Sequence, residues 1–125
     1  MPIIRAASGP TWEPLPGWKM TGLAAPSRGS AELAVWHVHI DPNTDGPLHR
    51  VDHDIVFFVL AGKAAITVEG EITDVSVGDA FVIPAHAERK LGNRQDEACD
   101  LINAMPATAQ SVRSDGSASN IPWAL

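Results

Sequence analysis

Glycine and proline interrupt this chain so often that a helix has almost nowhere to form. Ten of each are spread over 125 residues. No stretch of a dozen residues free of both carries apolar side chains at a 3.6-residue period. The segments between the breaks are short and alternate in polarity, as half-buried strands of a sandwich or barrel do. The predicted strands are Ile3–Ala6, Trp18–Ala24, Glu32–Ile40, Ile55–Leu60, Ala64–Glu69, Ile72–Val77, Ala80–Ile83, Glu88–Leu91 and Ala98–Asn103. Asp41 to Pro47 is a loop with two prolines and a glycine. Glu69-Gly70 reads as a tight hairpin in which glycine supplies a positive φ, and Gly78-Asp79 and Gly92-Asn93 are further turns. Ala107 to Asn120 has little to bury and is expected to be mobile, with Ile121-Pro122-Trp123 pinning the terminus back onto the barrel. Nothing repeats at a fixed period, which excludes a solenoid or propeller.

A chain of this length makes one domain and buries enough surface for a core without disulfides. Nine basic residues against fifteen acidic ones give a net charge of −6, with no Lys/Arg cluster. Nucleic acid is therefore not an expected partner, because a phosphate-binding face must be basic. The apolar runs are far shorter than the roughly 20 residues of a membrane span. No long apolar stretch follows Met1-Pro2-Ile3-Ile4-Arg5, so no signal peptide is expected and the cytoplasm is the expected address. The one cysteine, Cys99, excludes an internal disulfide and a thiolate zinc cage, and is expected to be a core thiol.

Two segments carry a recognisable framework. Gly46-Pro-Leu-His49-Arg-Val-Asp-His53-Asp-Ile-Val-Phe-Phe-Val-Leu-Ala-Gly62 resembles the first motif of the cupins, and Gly78-Asp-Ala-Phe-Val-Ile-Pro84-Ala-His-Ala-Glu-Arg89-Lys-Leu-Gly-Asn93 resembles the second. The resemblance implies an all-β fold, the cupin-type double-stranded β-helix or jelly-roll barrel. The barrel is expected over 31–106, after an N-terminal segment (1–30) that packs on it or on a partner, and before a C-terminal tail (107–125). It also implies a homodimer. The apolar alternation of Val56-Phe57-Phe58-Val59-Leu60 agrees with this, since both faces of that strand would need cover.

In cupins that bind a divalent metal, two His and a Glu of the first motif and a His of the second converge in the lumen. Aligned on Gly62 and Pro84, those positions hold His49, Val51, Ile55 and Arg89. Val and Ile offer no lone pair, and a guanidinium repels a cation. No cofactor is therefore expected. The alternative is a shifted site of His49, His53 and His86, suited to Zn, Fe, Mn or Ni. His37-Val38-His39 imitates a ligand pair, but its strand buries Trp36, Val38 and Ile40 and turns the histidines outward, to solvent or a dimer interface. Asp52 and Asp54 are expected to be solvated loop charges.

The expected lumen is apolar. Val51, Ile55, Phe57, Val59 and Leu91 line it with Trp36, Phe81 and Asn103, around one imidazole (His49) and one guanidinium (Arg89). A small-molecule ligand is the expected partner. The leading expectation is a metal-independent lyase, isomerase or cyclase acting on a partly apolar, anionic or carbonyl-bearing compound. His49 would be its general acid/base and Arg89 its anion anchor. Two alternatives stay open: a non-catalytic ligand-binding or sensor module, and a metal-dependent enzyme through the shifted histidines. Arg89 could also turn outward to pair with Glu88 or Asp100.

Overall fold

Strand alternation builds two facing sheets. The computed structural model describes Met1–Leu125. Its strands are β1 (Thr11–Trp12), β2 (Trp18–Gly22), β3 (Leu33–Ile40), β4 (Arg50–Val51), β5 (Ile55–Ala61), β6 (Lys63–Val68), β7 (Glu71–Ser76), β8 (Ala80–Ile83), β9 (Arg89–Gly92), β10 (Cys99–Pro106), β11 (Gln110–Val112) and β12 (Ala118–Asn120). One sheet runs β1-β2-β3-β10-β5-β8, and two three-stranded sheets run β12-β11-β4 and β7-β6-β9. All pairings are antiparallel. An isolated bridge between His49 and Arg89 joins the two smaller sheets at β4 and β9. The result is the jelly-roll barrel that the sequence implies. Helix is confined to three 3-10 turns, Ala6–Ser8, Pro26–Arg28 and Pro122–Ala124, and no helix is long and apolar enough to cross a membrane.

The period-2 pattern fixes what faces inward. Ala34, Trp36, Val38 and Ile40 of β3 are buried, as are Ile55, Phe57 and Val59 of β5 and Cys99, Leu101, Asn103 and Met105 of β10. Each large apolar side chain among them contributes about 1.5–3 kcal/mol by leaving water. Glu69 and Gly70 both have positive φ, +49° and +86°, and make a two-residue hairpin between β6 and β7. Gly62 has φ +72°, and a Cβ there would stand 2.3 Å from the Ala98 carbonyl oxygen, so only glycine fits. Pro84 follows the last residue of β8.

Two expectations are corrected. Ile3–Ala6 is not a strand; it has no pairing partner, and the chain enters a 3-10 turn at Ala6. The 1–30 segment gives β1 and β2 to the larger sheet, through pairing of β2 with β3. Ala107 to Asn120 is not an irregular tail, because it forms β11 and β12 and pairs with β4 through Ser111–Val51 and Val112–Arg50. Its lack of apolar residues hid it, for its stability lies in backbone pairing and two anchors. Gln110 donates its backbone N–H to Asp52 Oδ1 at 2.7 Å, and Ile121 and Ala124 are buried.

Candidate functional site: a cavity around His49 and Arg89

His49 and Arg89 meet because their backbones do. Each donates its N–H to the other's carbonyl at 3.0 Å. Such a hydrogen-bonded antiparallel pair sends both side chains to one face. Arg89 Nη2 then donates to His49 Nε2 at 2.9 Å, while His49 Nδ1 donates to the Pro47 carbonyl at 3.2 Å. A guanidinium only donates and a carbonyl only accepts, so His49 is the neutral tautomer protonated on Nδ1. Burial first, and then the adjacent Arg89 charge, lower its pKa from 6.5 to about 4, against the opposing pull of the Pro47 carbonyl. Burial lowers Arg89 to about 10, which leaves it charged at neutral pH.

Arg89 is only 5% exposed, and no carboxylate pairs with it. The outward alternatives are taken: Glu88 pairs with Arg50 at 3.0 Å, and Asp100 holds His37 at 3.0 Å and His39 at 2.9 Å on the opposite face of the sheet. The guanidinium carbon lies 5.9 Å from the centroid of the Phe57 ring. Arg89 Nε and Nη1 have no hydrogen-bond partner in the protein. An unpaired buried charge costs several kcal/mol.

That cavity has a volume of about 640 Å³, well within the range of small-molecule sites. His49, Arg89, Trp36, Ile55, Phe57, Leu91 and Asn103 line it, as expected from strand parity. Val51, Val59 and Phe81 do not. Val51 and Val59 point inward but pack into the apolar core, and Phe81 stacks on Phe57, with centroids 4.8 Å apart and planes within 2°. Sequence reasoning missed much of the remaining wall: Trp18 and Met20 of β2, Val38, and Ser111 to Ser114, Ser119, Ile121 and Trp123 of the C-terminal segment. The alternation of β2 carried a signal for Trp18 and Met20. For the C-terminal residues there was none, since pairing with β4 brings them there. Trp123 packs edge-on against Trp12 at 6.2 Å, and Arg28 Nη2 donates to its carbonyl at 3.3 Å. The lining also includes Arg50 and Arg113 but only one acid, Glu88, so its formal charge is positive in a chain of net −6.

The residues present do not fit a divalent metal. The one imidazole at the family's ligand positions has its Nε2 lone pair committed to a guanidinium 2.9 Å away. The shifted triad does not assemble either. His53 is bound to Asp52 at 2.8 Å, His86 is exposed, and no group of three or more His, Cys, Asp or Glu is arranged to hold an ion. His86 adopts φ +67°, the left-handed conformation that glycine favours, at the position where the family motif has glycine. Asp54 is an exposed loop charge, as expected, whose Oδ1 also accepts the Ala85 N–H at 2.8 Å, whereas Asp52 is half-buried and holds Gln110. Cys99 is fully buried, with its thiol pushed up to about 11 by burial and then by Asp100, which makes it unreactive.

The same architecture occurs in distant solved structures. The polyketide cyclase RemF from Streptomyces resistomycificus matches with a TM-score of 0.78 at 16% identity, over 97% of this chain and 85% of that one. KdgF from Halomonas sp. matches at 0.70 and 23%, over 90% and 96%, and an RmlC-like cupin from Shewanella frigidimarina at 0.70 and 21%, over 83% and 88%. At such identities the likeness is one of fold. No curated protein matches the sequence significantly. The model of the cupin domain matches residues 36–105, more than half of the chain and both motif segments. With the two-sheet barrel and its glycine and proline framework in place, this match shows that the chain belongs to the cupins.

Proposed function

We propose that this cupin binds a small, partly apolar compound through an anionic or enolisable carbonyl end held by Arg89, and converts it without a metal by lyase, isomerase or cyclase chemistry. The observation that carries this reading is the buried guanidinium with two unpartnered nitrogens in a mostly apolar cavity. Nη2 carries two N–H bonds, and whichever of them goes to His49, one two-donor edge of the planar fork remains for a carboxylate or enolate. Neutral His49, hydrogen-bonded to it, is the group placed to take a proton. In the proposed step, a C–H next to a carbonyl gives its proton to His49 Nε2, and the electron pair moves onto the carbonyl oxygen as an enolate facing Arg89. Returning the proton to another carbon isomerises the compound, expelling a leaving group completes an elimination, and attack of the enolate on a second carbonyl closes a ring. Nη2 must exchange His49 for the substrate oxygen as this happens. The substrate's negative charge offsets Arg89 and so raises the basicity of the imidazole.

That same Arg89–His49 hydrogen bond favours a second reading, a non-catalytic binder or sensor in which the imidazole only positions the guanidinium. Phenylpyruvate, which joins a carboxylate, an enolisable ketone and a ring, separates the two. Calorimetric titration should show binding by the wild-type chain and a loss of about tenfold or more in Arg89→Met, which keeps the stem but not the charge. In D2O, the wild-type chain should speed exchange of the protons next to the ketone, and His49→Gln should bind without exchange. Binding with no acceleration by wild type would leave the binder reading. Equal binding by wild type and Arg89→Met would remove the anchor, and with it both readings.

A further inference from the structure

Three more buried polar atoms of cavity-lining residues lack a partner: Trp123 Nε1, a donor, in the C-terminal turn, and on the larger sheet Trp36 Nε1, a donor, and Asn103 Oδ1, an acceptor. Trp36 and Asn103 are directly paired across β3 and β10, so both side chains share the inward face, and both line the cavity. Trp36 is 3% exposed and Asn103 4%. A donor and an acceptor left unsatisfied on two directly paired residues match a group that both accepts and donates. A hydrocarbon would leave both unpaired, a ketone would leave Asn103 Oδ1 unpaired, and a second carboxylate would face the amide oxygen with like charge. A hydroxyl serves both, accepting from the indole N–H and donating to Oδ1. Its distance from the anion end is also set by the sheet. Asn103 pairs across the other side with Phe57, over whose ring the Arg89 guanidinium lies. Phe57, Asn103 and Trp36 thus form one rung, with the charged anchor above one end and the donor–acceptor pair at the other.

We propose that Trp36 and Asn103 form a subsite for an un-ionised hydroxyl, phenolic or enolic, set along the Phe57–Asn103–Trp36 rung from the anionic group, so that the cavity selects hydroxylated aromatic or enol-bearing acids. This rests on Arg89 as the anion anchor. The test uses benzoate, meta- and para-hydroxybenzoate, their methoxy counterparts and phenol as probes of the full-length chain, by calorimetry or ligand-detected NMR. One hydroxybenzoate should bind about tenfold tighter than benzoate, because losing the hydroxyl strands two buried groups. The matching methoxybenzoate should lose that gain, since it cannot donate. The preference should shrink below about twofold in Trp36→Phe and in Asn103→Ser, while Arg89→Met weakens all the carboxylates alike.

Benzoate and both hydroxybenzoates binding equally to wild type would overturn the subsite and leave the anchor standing. That comparison needs no variant, so a misfolded substitution cannot obscure it. Phenol binding that depends on Trp36, with no carboxylate bound, would keep the subsite and overturn the anchor. Binding of none of these probes would overturn both.

Discussion

At the scale of single residues, the site turns on one imidazole that stays neutral because of its position. His49 titrates near 6.5 in the unfolded chain and near 4 in the native one. Between those values the unfolded state holds a proton that the native state does not, so this group's contribution to stability falls as pH drops from about 6.5 to about 4. The shift would be worth about 3 kcal/mol if fully buried, and residual solvent access reduces it to about 2 kcal/mol. His49→Gln keeps an acceptor for Arg89 but cannot titrate. Urea unfolding at several pH values should therefore show the wild-type chain losing about 2 kcal/mol more than His49→Gln across that window. Parallel pH profiles would mean that the imidazole is solvated and free of the guanidinium. The residue identities were legible in advance: the resemblance to the cupin motifs, aligned on Gly62 and Pro84, implied that His49 and Arg89 face the lumen. The hydrogen bond that commits Nε2 was not legible, because it depends on rotamers.

At the scale of elements, the cavity wall depends on a hairpin whose own side chains bury little. β11 and β12 are held to β4 by a few backbone bonds and by Asp52, whose Oδ1 accepts the Gln110 N–H and contacts His53 Nδ1. Asp52→Ala should cost about 1–2 kcal/mol through the loss of a charge-assisted hydrogen bond. The loss should be local. Hydrogen exchange at residues 110–120 should quicken while β3, β5 and β10 keep their protection, and affinity for the carboxylate probes should fall with it. Unchanged exchange in the hairpin would show that Ile121 and the turn Pro122–Ala124 suffice to hold it. The long strands announced themselves through polarity alternation. Two- and three-residue strands such as β1, β4, β11 and β12 carry too few side chains to display a period.

At the scale of the whole molecule, one surface remains unexplained by the monomer. Val56, Phe58 and Leu60 of β5 and Val82 of β8 are exposed on the outer face of the larger sheet, beside half-buried Ile102 of β10. An antiparallel sheet with one face on a core ordinarily shows polar residues to water on the other. We propose that a second copy of the chain covers this strip across a two-fold axis, the commonest closed symmetry of soluble proteins. Sedimentation velocity should find a dimer at micromolar concentration. Phe58→Glu, which buries no charge in the monomer, should return a folded monomer. A wild-type chain that stays monomeric at about 100 μM would leave the strip without that occupant.

The order of turns and strands, the inward parity of position 89 and the hydrocarbon at positions 51 and 55 follow from the sequence by itself. Glycine and proline act within a few residues, and alternation is a property of the strand. Tertiary structure decided how these pieces close into a site. The backbone bridge between His49 and Arg89, the C-terminal segment that walls the cavity and the unpaired polar atoms within it all join residues far apart in the chain. Each is fixed by which strand finds which partner, and that choice is made by the packed barrel as a whole.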